Sequence, residues 1–294
     1  MPVSDNVKAS LFMMLSMLGF VINDVLIKSL HGSLPTPQIM WIRGLMLTIL
    51  IFLIVWQRGL LPRWKEAFTA RVSLRGAMEG GATLCFLTAL PLLPFANLSA
   101  ILQSLPLAVT LGAALFLGEP VGWRRWLAII VGFVGVLIII RPGYTGFHIA
   151  SLLVLLSVVF AAARDLITRG LPSRLPSLLV SGFSAFFIGI VGMVITLFLD
   201  NWVPMNLHQT VVLLGASFFL FFGYQFIILS MRTGEVGYVV PYRYTSLLWA
   251  IVFGYVFFGE VPDALTFLGS AIVVAMGLYT LYRELRLKSQ TDNP

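Results

Sequence analysis

The chain has 294 residues, of which 59% are hydrophobic and only 11% charged. A soluble domain carries about 25% charged residues, so the composition excludes a soluble globular enzyme, a disordered chain and a nucleic-acid binder. One cysteine, Cys85, rules out an intrachain disulfide framework or a cysteine metal cluster, and the net charge of +7 reads as basic cytoplasmic loops.

A helix crossing the hydrocarbon needs about 20 mostly apolar residues. Ten such runs follow one another: 9–29, 38–57, 73–93, 97–118, 123–140, 148–169, 177–199, 209–231, 236–258 and 264–283. They are long and continuous, which predicts helices and not the short alternating strands of a barrel. The first run is preceded by Asp5 and Lys8 and is not followed by Ala-x-Ala, so it reads as a retained span. Leu34-Pro35-Thr36-Pro37, Arg141-Pro142-Gly143 and Trp202-Val203-Pro204 punctuate the boundaries. The longest loop, 58–72, holds Arg58, Arg63, Lys65 and Arg71 and leaves no room for a soluble catalytic domain.

With the N-terminus inside, 14 basic residues fall on the cytoplasmic side and only Lys28 and Arg141 on the other; Arg43, Arg164 and Arg243 lie within spans. The asymmetry predicts a multi-pass protein of the bacterial inner (plasma) membrane with both termini cytoplasmic.

An offset of 141 residues lays the chain on itself without a gap. Ala9-Ser10-Leu11 falls on Ala150-Ser151-Leu152, Asp24 on Asp165, Lys28 on Arg169, and Leu34-Pro35 on Leu175-Pro176. Phe116, Gly118 and Glu119 fall on Phe257, Gly259 and Glu260. Leucines match by chance in greasy helices, but Asp, Glu and Pro at one offset point to duplication, with units 1–143 and 144–294. Each unit has five spans. Five is odd, so the second unit enters from the opposite side: an inverted repeat, as in secondary transporters.

Three features carry a family likeness: Phe116-Leu117-Gly118-Glu119-Pro120 with Phe257-Phe258-Gly259-Glu260-Val261-Pro262-Asp263, Gly135-Val136-Leu137-Ile138 with Arg141-Pro142-Gly143, and Val240-Pro241-Tyr242-Arg243-Tyr244 through Trp249-Ala250. On these the chain resembles the drug/metabolite transporter superfamily, EamA type, and within it the amino-acid exporters. The resemblance implies ten helices around a central cavity and movement of small organic solutes. The second unit departs from it with Tyr282-Arg283-Glu284 where the first has Arg141-Pro142-Gly143.

Charges within spans cost about 2.5–3.5 kcal/mol each or more. Depth along the helices predicts one cluster of Asp24 with Arg43 and a second of Glu79, Arg164, Asp165 and Arg243. Lys28 and Arg169 stand four residues after Asp24 and Asp165, on the same helix face. These residues are candidate gates at opposite mouths, or else static ion pairs that hold helices in register. Glu79, whose repeat mate is Leu220, reads as a proton acceptor or ammonium contact, or as an ion-pair partner of Arg164 or Arg243. Candidate substrate contacts are Trp41, Glu79, Gln103, Tyr224, Gln225, Tyr242, Tyr244 and Trp249; Gln103 and Tyr244 are repeat mates. Their mix of aromatic and amide groups suits a small amphipathic solute better than an ion.

His31, His148 and His208 are scattered over loops and helix ends, so no catalytic or metal constellation is expected, and a Walker-type phosphate loop is missing. The expected protein is therefore an all-α, ten-span secondary transporter without cofactor, driven by solute or ion gradients. Its partners are a small-molecule substrate and the lipid bilayer, and it is a monomer or an oligomer of unspecified size. The favoured activity is export of amino acids, including aromatic ones. An importer of a vitamin- or nucleoside-like aromatic solute is the alternative. An intramembrane lipid-modifying enzyme is disfavoured, because neither a titratable headgroup-facing cluster nor a donor-binding loop is evident.

Overall fold

The computed structural model describes residues 3–119, 121–142, 148–172 and 174–291. Pro120 and Gly143 of the family motifs, and the expected unit boundary at 143/144, lie outside the described residues.

The described residues form helices only: α1 (Val3–Ser29), α2 (Thr36–Gln57), α3 (Ala70–Ala89), α4 (Phe95–Leu102), α5 (Leu105–Phe116), α6 (Trp123–Ile140), α7 (Ala150–Arg169), α8 (Ser177–Leu199), α9 (Leu207–Thr233), α10 (Val236–Val239), α11 (Thr245–Phe258) and α12 (Ala264–Thr291). Two tighter 3-10 segments, Leu61–Ala67 and Val240–Tyr244, complete them. Local chemistry sets several starts. Thr69 accepts the Val72 amide ahead of α3, and Asn206 and Gln209 form a reciprocal capping box at α9.

Eight helical stretches are long and apolar enough to cross a membrane, with Phe95–Phe116 counting as one. The two remaining expected spans differ for visible reasons. Helix α3 carries Arg71, Arg75 and Glu79, and the 236–258 stretch is divided into α10, the 3-10 segment and α11.

Sequence periodicity predicts the fourth and ninth spans as continuous helices; both are interrupted. Pro106 has no amide to offer the Leu102 carbonyl, and the chain tightens just before it. Gln103 N bonds to Ser99 O at 3.2 Å and Ser104 N to Ile101 O at 3.0 Å. Pro241 sits in the corresponding 3-10 segment of the other half.

Helices from the two halves pack as exchangeable sets. α1 packs on α9 as α3 does on α7, α3 on α8 as α2 on α9, and α5 on α7 as α1 on α11. The α2–α8 and α6–α12 contacts map onto themselves. At the α2–α8 crossing, a Cβ on Gly44 would stand 2.6 Å from Gly189 backbone atoms, so only glycine allows this approach. Outward, Phe116, Phe198 and Leu207 are 81%, 86% and 80% exposed. Such apolar side chains belong against lipid, and with the eight apolar helices they mark a multi-pass membrane protein.

Candidate functional site

A cavity of about 300 Å³ lies among helices of both halves, within the range of small-molecule pockets (roughly 300–1,000 Å³). Both helix interruptions reach it: Leu102, Gln103 and Leu105 from one, Arg243 and Ser246 from the other. The Gln103 side-chain amide donates to Ser246 Oγ at 3.0 Å and lies 3.5 Å from the Tyr244 carbonyl, tying the two interruptions together. Phe20 of α1 meets Tyr224 of α9 edge-on at 5.4 Å and both line the cavity.

Charge is unevenly paired in this space. Arg164 of α7 bridges two carboxylates, Glu79 at 2.9 Å and Asp165 at 2.8 Å. Arg75, expected among the cytoplasmic bases, instead turns inward. It approaches Glu79 at 3.8 Å, donates to Thr168 Oγ1 at 2.9 Å and bonds to Ser184. Asp24 accepts the Asn23 side-chain amide at 2.8 Å, and Arg43 reaches Asn23 Oδ1 at 3.4 Å, so Asn23 stands between the expected Asp24–Arg43 pair. Arg243 lines the cavity within the field of Asp165 and Arg164, with no direct hydrogen bond of its guanidinium among the described residues.

Of the eight substrate candidates, Glu79, Gln103 and Tyr224 line this cavity. The others sit around it. Trp41 packs edge-on against Trp202 at 5.2 Å, and Gln225 lines a separate small cavity with Arg58 and Arg232. Tyr242 packs on the Ala9–Met13–Met17 cluster, Tyr244 lies against Gly277 of α12, and Trp249 is near Phe253, its buried Nε1 having no hydrogen-bond partner among the described residues. Ser99, Ser157 and Ser246 line the cavity without having been singled out in the sequence.

Lys28 and Arg169 do not turn to the acids four residues before them. Lys28 Nζ bonds to Glu260 Oε1 at 2.6 Å and to the Leu93 carbonyl at 2.8 Å, and stands 4.8 Å from the Phe258 ring centre. Glu260 Oε2 also accepts the Phe95 amide at 2.6 Å. Arg169 Nη1 bonds to Glu119 at 3.1 Å. All four residues obey the 141 offset, and each pair joins a base of one half to an acid of the other. The two glutamates are aimed by the same device. Gly118 and Gly259 have φ of 66° and 65°, left-handed values that suit glycine, and end their helices. The following amides return to the helix, Glu119 N to Ala113 O at 3.2 Å and Glu260 N to Gly254 O at 3.0 Å.

The pairs sit at opposite ends of α3. Lys28 is tied to Leu93, just past its C-terminus, while Arg71 near its N-terminus donates to the Gly170 carbonyl beside Arg169. The 20 residues of α3 separate them by about 30 Å.

The EamA-like transporter family model matches residues 7–141 and again 148–282, the second match displaced by the same 141 residues. The chain belongs to the EamA-like transporter family. It is 27% identical to a pseudopaline exporter of Pseudomonas aeruginosa, covering 90% of this chain and 92% of that protein. It is 26% identical to an S-adenosylmethionine uptake transporter of Rickettsia bellii, covering 94% of both. A riboflavin transporter of Vibrio cholerae is 33% identical over 178 residues, 60% of this chain and 58% of that one. A solved crystal structure with 17% identity covers 95% of this chain and 99% of its own at a TM-score of 0.64, a likeness of fold alone. Together with the family match, these relatives make the chain a transporter of small molecules.

Proposed function

We propose that the protein is a ten-span secondary transporter of small amphipathic metabolites, exporting amino acids, aromatic ones included, by alternating access between two inverted five-helix units. The observation that carries this reading is the cavity between the halves, reached by two helix interruptions and flanked about 30 Å apart by exchangeable ion pairs. Inversion is supported by which loops meet. With ten crossings, every long-range loop contact joins segments on one side: Gln38 to Val203, Arg141 to Asp263, Arg63 to Arg174, and Asn6 to Glu235. The basic loops support a cytoplasmic Arg169 end and an outer Lys28 end.

In this mechanism Lys28–Glu260 closes the outer mouth and Arg169–Glu119 the inner. The outer pair is sealed, its side chains 7% and 24% exposed; the inner pair is 45% exposed on both sides. That asymmetry corresponds to a state that loads from the cytoplasm, as an exporter does at the start of its cycle. Asp24, Arg43, Arg164, Asp165 and Glu79 provide the charged lining between the mouths, with Arg164 holding α3 and α7 together. Exchange of the halves defines the opposite state. Arg169 would donate to the Gly234 carbonyl and Glu119 accept the Val236 amide, as Lys28 and Glu260 now do with Leu93 and Phe95.

Proteoliposomes holding the purified chain, tested with amino acids and riboflavin with and without a pH gradient, check this reading. Aromatic amino acids should equilibrate faster than in protein-free vesicles. Transport of riboflavin alone would replace it with the vitamin importer, and transport of neither would remove the amino-acid assignment.

A further inference from the structure

We infer that Arg243 is the anchor for a carboxylate on the transported solute, so that the cavity takes an apolar-bodied solute bearing a single carboxylate. The inference rests on the transporter reading above and assigns a chemistry to its cavity.

The first ground is charge. Two carboxyl and three guanidinium side chains line the cavity, Asp24 and Glu79 with Arg43, Arg164 and Arg243; Asp165 and Arg75 stand beside them, which makes three carboxyl groups against four guanidinium groups. Glu79 is engaged by Arg164 and Arg75, and Asp165 by Arg164. Asp24 and Arg43 share Asn23. Arg243 has only the charge of Asp165 beside it, a carboxylate already held by Arg164 at 2.8 Å. An unbalanced guanidinium away from bulk water attracts an anion strongly, and its planar fork fits a carboxylate with two parallel hydrogen bonds.

The second ground is backbone. α5 and α11 both start at the interruptions, and these bring Gln103, Arg243 and Ser246 to the cavity wall. The Gln103 amide, already turned to Ser246, adds a neutral donor at the same place.

The third ground is the remaining wall. Phe20, Phe86, Phe95 and Tyr224 line the same space, with Leu98 and Ile188. These surfaces accept an apolar or aryl body.

The experiment titrates the purified full chain with 3-phenylpropionate and with its amide, which differ only in the charged group. In the wild type the acid should bind about tenfold to hundredfold more tightly than the amide. Arg243→Gln should bring the ratio near one, and Arg243→Lys should leave it reduced but above one. Equal binding by the wild type, binding of neither probe, or an unchanged ratio in Arg243→Gln overturns the anchor. Where Arg243→Gln does not fold, Arg243→Lys decides, and an unchanged ratio there overturns it as well. Transport is read separately in proteoliposomes. Acid-selective binding without transport of any solute would overturn the transporter reading and leave the anchor standing. Transport of phenylalanine and its amide at equal rates would do the reverse.

Discussion

Lys28–Glu260 and Arg169–Glu119 are built from matching positions, yet they occupy different environments. Each glutamate follows a left-handed glycine, and each base ends the first helix of its half. The Lys28 pair adds the Leu93 carbonyl, the Phe95 amide and the Phe258 ring, and its lysine is buried. The Arg169 pair lies in the open. The offset makes the two pairs equivalent in chain position, while their surroundings differ in residues, with Leu117 matching Phe258 and Val236 matching Phe95, as well as in burial. A cycle that exchanges the two environments would exchange their energetics too.

The sharpest way to break this comparison is at the sealed pair. Lys28→Met leaves Glu260 with an unmatched charge in a largely closed site, and removing one partner of a buried pair costs about 3–5 kcal/mol. The denaturation midpoint of the purified protein should fall clearly, and transport with it. Glu260→Gln, which keeps the shape and still accepts the Phe95 amide, should fall less. Equal midpoints for wild type and Lys28→Met would show that the outer pair is not a lock.

Arg169→Gln or Glu119→Gln tests the other member. Exposed pairs contribute about 0–1 kcal/mol, so the midpoint should barely move. Turnover should nevertheless drop, because the same pair must seal when the halves exchange. Measured exchange rates that match the wild type would confine Arg169–Glu119 to a surface contact and leave the gate at the Lys28 end alone.

The fold was legible because lipid imposes a strong pattern: long apolar runs, turn residues between them, and bases concentrated in alternate loops. Most helix ends fall within a few residues of the expected ones. The 141 offset also carried the two cross-half ion pairs, since it lines up Lys28 with Arg169 and Glu119 with Glu260. Those glutamates were read as family signature, and the bases were assigned to the nearer acids by helix spacing. Spacing on one helix favours an i, i+4 pair by only about 0.2–0.5 kcal/mol, too little to hold Lys28 against a carboxylate from the other half. The interruptions were hidden for a different reason. Pro106 and Pro241 are visible, but proline is tolerated in membrane helices, and only packing shows whether the chain tightens there. Arg75 was misplaced because its side chain reaches inward from near the start of α3, which counting from the loop cannot reveal.

The smallest expected effect sharpens the comparison with a control pair on the Lys28 side. Arg141, left-handed at φ 55° at the end of α6, binds Asp263 just before α12. Its guanidinium, through that hydrogen bond, holds the Asp263 carboxyl well below the ordinary aspartate range, with help from the Thr266 amide. A carboxyl lowered in the folded state stabilises above its unfolded value, about 3.9, and loses that contribution as pH falls through the folded value. The wild type should therefore exceed Asp263→Asn in denaturation midpoint by a small amount that is constant from pH 7 to about 5, then narrows below about 3.9. More than half of the Asp263 side chain is exposed, so the offset should be modest and should shrink with added salt. Transport should be unchanged in Asp263→Asn, unlike Lys28→Met. A loss of transport equal to that of Lys28→Met would mean that closure on this side depends on the whole loop and not on the Lys28–Glu260 pair.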